Sequence, residues 1–498
     1  MFLFYGVSVY FINEAKMKQK HLILFTSVLL FSASGFAAIP EKAAPQVSIP
    51  DTTSLLLSYV ENDSELKNLT IAAKKAALSY DATLIDNGFD ISLSTGTVTL
   101  QTSDDGSKLT AKPSVKASLP QASNLSFTGQ TNIASDSSDT KVSDTSLSLG
   151  VDIISSSTLT NKITKLKAER SVTEAQRKIE KRAVAAEKEF YTELKKLLTS
   201  VSSIISKRET LYSDEIDFGA IKIQGYSKSS STYRQAELKV ISDQHDVESA
   251  MHSLIYNSVV FYKKCGFDIQ IDEHVDLMSL VPSDIEAVEP VDVSGYDKEL
   301  YTEIESAVWT YTINSMERSS KKTYSLSANA GYTFDNSNTK TDTVDAGLSG
   351  SIGGVSLGAG VSMPVGGDSN SPSFTFSATL TPNTFRKNNI TKQQNELTEE
   401  QELLAIKSAE DAYETKVVEL QQKLDTLLWE KRTAETNLSM YEDLERDMSL
   451  LFKQGYISET EYLSTKNDLN SNIIKKVSNL IDLIIYNDDV ISNFVSEK

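Results

Sequence analysis

Cysteine occurs once in 498 residues, at Cys265, which excludes an intrachain disulfide and leaves that thiol to be read as a packed small side chain rather than a nucleophile. Histidine is almost as scarce. Of His21, His245, His252 and His274, the middle two lie two helical turns apart, not at the HExxH spacing of a zinc site. Neither a phosphate-cradling glycine loop nor a nucleophile elbow occurs. Enzymatic chemistry is therefore not expected, and neither is a cofactor or a metal. Basic residues are also in deficit: 49 Lys and Arg face 68 Asp and Glu, a net charge of -19. Such a chain lacks the basic face that a nucleic-acid partner requires, and its acidity is distributed along helical segments as solvated surface. Past the N-terminal region no apolar run is long enough for a membrane-spanning helix, so any crossing of a membrane must be made by strands.

Residues 1–38 read as a signal peptide whose true start is Met17. Lys18, Lys20 and His21 precede the apolar run Leu22 to Phe31, and small residues end at Ala37 and Ala38. No cysteine follows to accept a lipid. The expected product is exported.

Proline and glycine are both missing from Phe385 to Phe452, and that stretch reads as one helix on the order of 100 Å long. Leu420, Leu424, Leu427, Ala434, Leu438, Tyr441, Met448 and Leu451 recur at steps of three, four and seven, the seam of a coiled coil. Taken alone, this segment fits a simple coiled-coil rod. Around it, the order of helix, strands, long helix, bend and shorter helix occurs twice. Repeat 1 covers 39–265, with a helix from Asp51 to Ser79, a β-region at about 89–154, a long helix from Thr160 to Tyr212, a bend at about 213–230 and a helix to Lys264. An irregular segment, 266–295, contains Pro282 and Pro290. Repeat 2 covers 296–498, with a helix to Ser319, a β-region at about 323–381, the long helix 385–452, a bend at about 453–457 and a last helix from Ser458 to Tyr486. Two short identities agree with a duplication: Asn161-Lys162-Ile163-Thr164-Lys165 with Asn388-Asn389-Ile390-Thr391-Lys392, and Gln224-Gly225-Tyr226 with Gln454-Gly455-Tyr456.

Within the β-regions the period changes from about 3.6 to 2. Tyr324, Leu326, Ala328, Ala330, Tyr332 and Phe334 alternate with serine, threonine, asparagine and glycine, and Phe374, Phe376, Ala378 and Leu380 alternate with serine and threonine. That pattern suits a barrel with lipid outside and water inside, or a soluble sandwich. Helices this long entering and leaving the sheet favour the barrel. One copy has too few strands to close a membrane barrel, so oligomerisation is expected.

This order of elements, together with the bend from Gly455 through Glu461 to Leu463, resembles the outer membrane factors of the TolC type. The resemblance implies a mixed α and β fold: an outer-membrane β-barrel continued by a long antiparallel α-helical coiled-coil barrel in the periplasm, with two tandem structural repeats per subunit in a homotrimer. It implies a channel or efflux duct that passes small molecules or exported proteins, working with a periplasmic adaptor protein and an inner-membrane transporter and embedded in outer-membrane lipid. The entrance candidates it carries over are Glu461, Ser464, where the family's second acid is absent, and Ser231, which replaces the acid in the first bend. Candidates for the periplasmic tip and adaptor docking are Gly225, Tyr226, Gly455 and Tyr456; glycine at both bends points to a positive φ or a close helix approach. The rival reading is a surface-exposed adhesin or structural stalk. With about four strand-like pieces per copy, a trimer would hold 12 spanning strands with long surface hairpins, or as many as 24. Twelve is the expectation, although a ring of twelve helices about 38 Å across matches neither about 26 Å for 12 strands nor about 50 Å for 24.

Overall fold

A computed structural model describes residues 49–495 except 97, 104–105, 121–122, 136–139, 155–156, 322–323, 336–340 and 367–370. The segment read as a signal peptide lies outside the described residues. The described residues form two compact units built from interleaved stretches of chain, one from 49–66, 182–291 and 422–490, the other from 67–181, 292–421 and 491–495.

The second of these units contains a single antiparallel sheet. Its strands are β1 (Asp90–Ser94), β2 (Thr99–Ser103), β3 (Gly106–Ala111), β4 (Ser114–Leu119), β5 (Leu125–Ser135), β6 (Thr140–Ile154), β7 (Tyr324–Phe334), β8 (Asp342–Ile352), β9 (Val355–Val365) and β10 (Ser373–Leu380). Neighbours follow the path β1-β4-β5-β6-β7-β8-β9-β10, while β2 pairs with β3 and β3 with the far end of β5. Both β3 and β4 pair with β5, and both β1 and β2 pair with that broken strand. They are therefore two long strands, each interrupted: one at 95–98, the other at Lys112-Pro113. Proline has no amide to give to a ladder, which accounts for the second break.

The period-2 alternation gives the sheet two chemically distinct faces. Across the register Ile91↔Ala117↔Phe127↔Leu149↔Ala330↔Ala346↔Val361↔Phe374, apolar residues occupy all eight strands of the path. One step along, Ser92↔Lys116↔Thr128↔Ser148↔Gly331↔Asp345↔Ser362 carries the other face, where Ser327 and Ser349 hydrogen-bond at 2.8 Å. The apolar face is uncovered: Leu93, Phe127, Leu149, Leu348, Leu357 and Phe376 are all exposed.

Helices of this unit are most of α2 (Ser64–Asp86), the beginnings of α3 (Ser157–Ile223) and α6 (Pro382–Lys453), and α5 (Thr302–Ser320). Arg170 and Arg177 of α3 both grip Glu305 of α5, and Arg170 also lies over the Trp309 ring at 5.1 Å. Arg318 of α5 binds Glu402 of α6 at 2.8 Å.

In the other unit α1 (Thr52–Asn62), the remainder of α3, α4 (Ser231–Lys264), the end of α6 and α7 (Glu459–Asn493) pack around an apolar core. Phe190 is fully buried at its centre, edge-on to Tyr59 at 5.6 Å and beside Phe261 at 5.3 Å. Leu194, Leu198, Val201 and Ile205 continue the same face of α3 at steps of three and four. Cys265 is fully buried in this core; burial pushes its thiol up to about 12, as a packed side chain requires. Residues 266–291 wrap the core with a 3₁₀ turn at Leu277–Leu280.

Several segments depart from the periodicity reading. The stretch from Asp51 is two helices, because Asp63 adopts an extended backbone, accepts the Leu66 amide at 2.6 Å and pairs with Arg182. The long helix expected to end at Tyr212 runs on to Ile223, so the bend shrinks to 224–230. Its polar appearance misleads, since Phe218 and Ile221 pack against Tyr233 and Val240 of α4. The helix expected from Tyr296 starts at Thr302, since Tyr301 bridges Phe494 in extended backbone. The last helix continues to Asn493. Within the described residues, no helix is long and apolar enough to cross a membrane.

Candidate functional site

Both bends lie in the helical unit. At the second, α6 ends in a paired set of backbone hydrogen bonds. The Gly455 amide donates to the Phe452 carbonyl and the Tyr456 amide to that of Leu451, each at 2.9 Å. This is a Schellman closure, which needs a left-handed residue just past the helix, and Gly455 has φ +77°. At the first bend the Gly225 amide donates to Lys222 at 3.2 Å, with φ +79°. A Cβ at either glycine would meet nothing within 4 Å. Of the two reasons offered for glycine here, positive φ is the operative one and close helix approach is not.

The residues after these glycines are presented to solvent. Tyr456 is 76% exposed and Tyr226 45%, and Ile223 beside the first bend is 88% exposed. Exposed apolar and aromatic groups thus surround each closed turn. Beneath the two turns the aromatic packing differs: Phe218 meets Tyr233 edge-on at 5.1 Å, whereas Phe452 stacks flat on Tyr462 at 5.1 Å.

Glu461 has a local partner. Ser458 caps α7, and the sequence Ser458-Glu459-Thr460-Glu461 forms a reciprocal capping box in which the Glu461 carboxylate accepts the Ser458 amide at 2.8 Å. That backbone hydrogen bond holds the Glu461 carboxyl below its ordinary value. Its charge is still exposed to solvent. Ser464 is half-buried on the next turn, and Ser231 opens α4, where the neighbouring Ser230 is the cap. Glu459, on the first turn of α7, hydrogen-bonds Tyr212 of α3; burial first and this carboxylate second push the phenol up.

Three acidic groups escaped the sequence reading. Asp468, seven residues beyond Glu461 and so on the same side of α7, is exposed and has its pKa raised by partial burial and by Glu209 of α3. Asp243 of α4 is raised by hydrogen bonding to Asp214 of α3, whose Oδ1 accepts Lys239 Nζ at 2.5 Å. Asp488, near the far end of α7, is 3% exposed, and its Oδ2 has no hydrogen-bond partner. Burial, then Glu187, pushes it up to about 8. Only the first has a readable signal, the seven-residue spacing. The other two depend on which helix lies opposite.

Solved structures similar to this chain include the open state of the Neisseria gonorrhoeae MtrE outer membrane channel, 12% identical, covering 92% of this chain and 97% of that one with a TM-score of 0.46. The Campylobacter jejuni CmeC outer membrane channel is 13% identical, with 94% and 95% covered and a TM-score of 0.42. The Vibrio cholerae outer membrane protein VceC is 11% identical, with 89% and 96% covered and a TM-score of 0.42. No curated protein matches the chain. Two consecutive family models do: the TP096X N-terminal domain matches residues 55–285 and the TP096X C-terminal domain residues 286–497, and between them they account for most of the chain, which belongs to the TP096X family.

Proposed function

We propose that this chain is one subunit of a trimeric, TolC-like outer membrane factor, a passive duct through the outer membrane with its helical part in the periplasm. The observation that carries the reading is the sheet. One face is apolar on every strand of an eight-strand path and is uncovered, while the opposite face is polar, mostly Ser, Thr, Gly and Asn with Asp345, Lys116 and Gln130 among them. In water such a face would expose far more contiguous apolar surface than a soluble monomer keeps. Between lipid and a water-filled lumen both faces are satisfied.

Oligomerisation is supported by the two edges. Among the described residues β1 and β10 each lack a neighbour on one side, and the seven antiparallel steps between them, an odd number, leave them running in opposite directions. The last strand of one copy is then oriented to pair with the first strand of the next. The helices adjoining those edges carry exposed seven-residue stripes, Ile71, Leu78 and Ile85 on α2 and Ile390, Leu397, Leu404 and Val418 on α6, suited to coiled-coil packing between copies. The two halves of the chain follow the same order of elements, which supports internal duplication. The adaptor and an inner-membrane transporter would meet the bends at Gly225-Tyr226 and Gly455-Tyr456, and Glu461, with Ser464 and Ser231, would face the entrance.

Fractionation of cells expressing the protein tests this assignment. The duct requires heat-modifiable oligomers of three copies in the outer-membrane fraction. A soluble rod, or a monomer attached to the cell surface, would support the adhesin or stalk reading instead.

A further inference from the structure

We infer that all eight strands of the sheet path span the membrane in each chain, so that a ring of three copies encloses 3 × 8 = 24 strands rather than twelve with surface hairpins. The inference rests on the channel reading and adds to it. Three observations carry it.

First, the inner hairpins turn at the helix end of the sheet. The β8–β9 turn at Gly353-Gly354 is tied to the start of α6: the Thr381 amide donates to the Gly354 carbonyl at 2.7 Å, and the Phe385 ring lies 3.2 Å from where a Cβ on Gly353 would stand. In the first half of the chain the β4–β5 turn is tied to the start of α3, where Asn161 Nδ2 donates to the Pro120 carbonyl at 3.4 Å. A hairpin lying on the cell surface would have no such attachment.

Second, length is sufficient. β7, β8 and β9 are 11 residues each, about 36 Å of strand, or about 25 Å of height at 45° tilt, the thickness of the apolar band of an outer-membrane barrel. In the first half, β1 with β2 and β3 with β4 make strands over 90–103 and 106–119 that are as long.

Third, the apolar face of β8 and β9 is continuous with that of β7 and β10. Val344, Ala346, Leu348 and Ile352 stand opposite Met363, Val361, Ala359 and Val355, with no charge among them. Leu348 and Leu357 are about half exposed. Asp342 is the one charge on this face and stands at the end of β8 away from the Gly353-Gly354 turn, so from Val344 to Ile352 the face is uncharged and contiguous with the lipid-facing strands; the occupant that fits it is the acyl-chain layer.

Spin labels on single introduced cysteines in reconstituted oligomers test the inference; the native Cys265 is buried beyond reach. Labels at Leu348→Cys and Leu357→Cys are expected to match one at Leu326→Cys on β7: accessible to oxygen and lost to a water-soluble nickel chelate. Ser349→Cys, on the opposite face, is expected to collide with the chelate. If Leu348 and Leu357 are open to the chelate while Leu326 stays protected, β8 and β9 are surface loops and the inference is wrong. If Leu326 is open as well, the channel reading fails and takes the inference with it.

Discussion

Ser458 and Glu461 cap one helix reciprocally: the glutamate carboxylate accepts the serine amide at 2.8 Å, and the serine hydroxyl accepts the glutamate amide at 3.2 Å. The residue proposed as the entrance acid is thus also half of the capping box of α7, and any test of its charge must keep the cap. Ser458→Ala should cost about 1 kcal/mol of stability, as lost N-caps do, and leave cation block of the conductance unchanged. Glu461→Gln preserves a hydrogen-bond acceptor and should weaken cation block with little effect on the melting temperature. Glu461→Lys confounds the two, because it removes the cap and reverses the charge. Unchanged cation sensitivity in Glu461→Gln would remove Glu461 from the entrance.

The two bend glycines differ from a third, Gly219, inside α3. Gly219 is helical, has no positive φ and has open space around its missing Cβ. Gly219→Ala should therefore stabilise by about 0.5–1 kcal/mol. Gly225→Ala and Gly455→Ala should destabilise by about 1 kcal/mol, the penalty of a left-handed alanine. Thermal melts of the three variants check the signs.

At Gly455 a Cβ meets nothing within 4 Å, so Gly455→Val strains the left-handed backbone of the bend without a clash at its Cβ, and it should still assemble oligomers in the membrane. The re-aimed bend should abolish adaptor binding or efflux. Oligomers of Gly455→Val that bind adaptor and export normally would place the docking site elsewhere.

Asp488 makes stability depend on pH in a defined direction. Its folded-state value of about 8 lies above the ordinary 3.8, so the unfolded chain ionises first. The group's penalty is absent below about pH 4, grows as pH rises and levels off above 8, at roughly 1.4 kcal/mol per pH unit for one proton. Asp488→Asn should gain stability over the wild type at pH 8 and much less at pH 5. An equal gain at both values would mean that Asp488 is charged in the folded protein.

The exposed stripes predict where assembly fails. Leu78→Asp on α2 and Leu397→Asp on α6 put a carboxylate on a solvent-facing position of one subunit. Each should leave the helical content of the chain intact and abolish oligomers in the membrane fraction. Normal oligomers from both variants would show that these stripes are not the seam.

Much of this architecture is legible in sequence because periodicity survives where one face is buried or lipid-facing. The α6 run without glycine or proline and the alternation from Tyr324 to Phe334 are of this kind. β8 and β9 were harder to delimit, since Gly347, Gly350, Gly353, Gly354, Gly358 and Gly360 resemble loop composition. Only the ladder reveals that Gly347, Gly350, Gly358 and Gly360 belong to strands and that Gly353-Gly354 is a tight turn between them. Likewise β2 and β3 hide in TVTLQTSDDGSKLTA, where polar residues sit on both faces. At the candidate site the glycine bends could be read directly, and the S-x-x-E of the cap could have been. What could not be read is partnership across helices. Asp488 and Asp243 acquire their properties from Glu187 and Asp214, residues distant in the chain.

The central claim, that the sheet closes into a water-filled passage across a membrane, is tested most directly by conductance. Purified oligomers added to a planar lipid bilayer should insert and give discrete single-channel steps, and Asp345→Lys, on the polar face of β8, should shift their ion selectivity towards anions. Oligomers that bind the bilayer and produce no conductance, or steps whose selectivity ignores Asp345, would contradict the account.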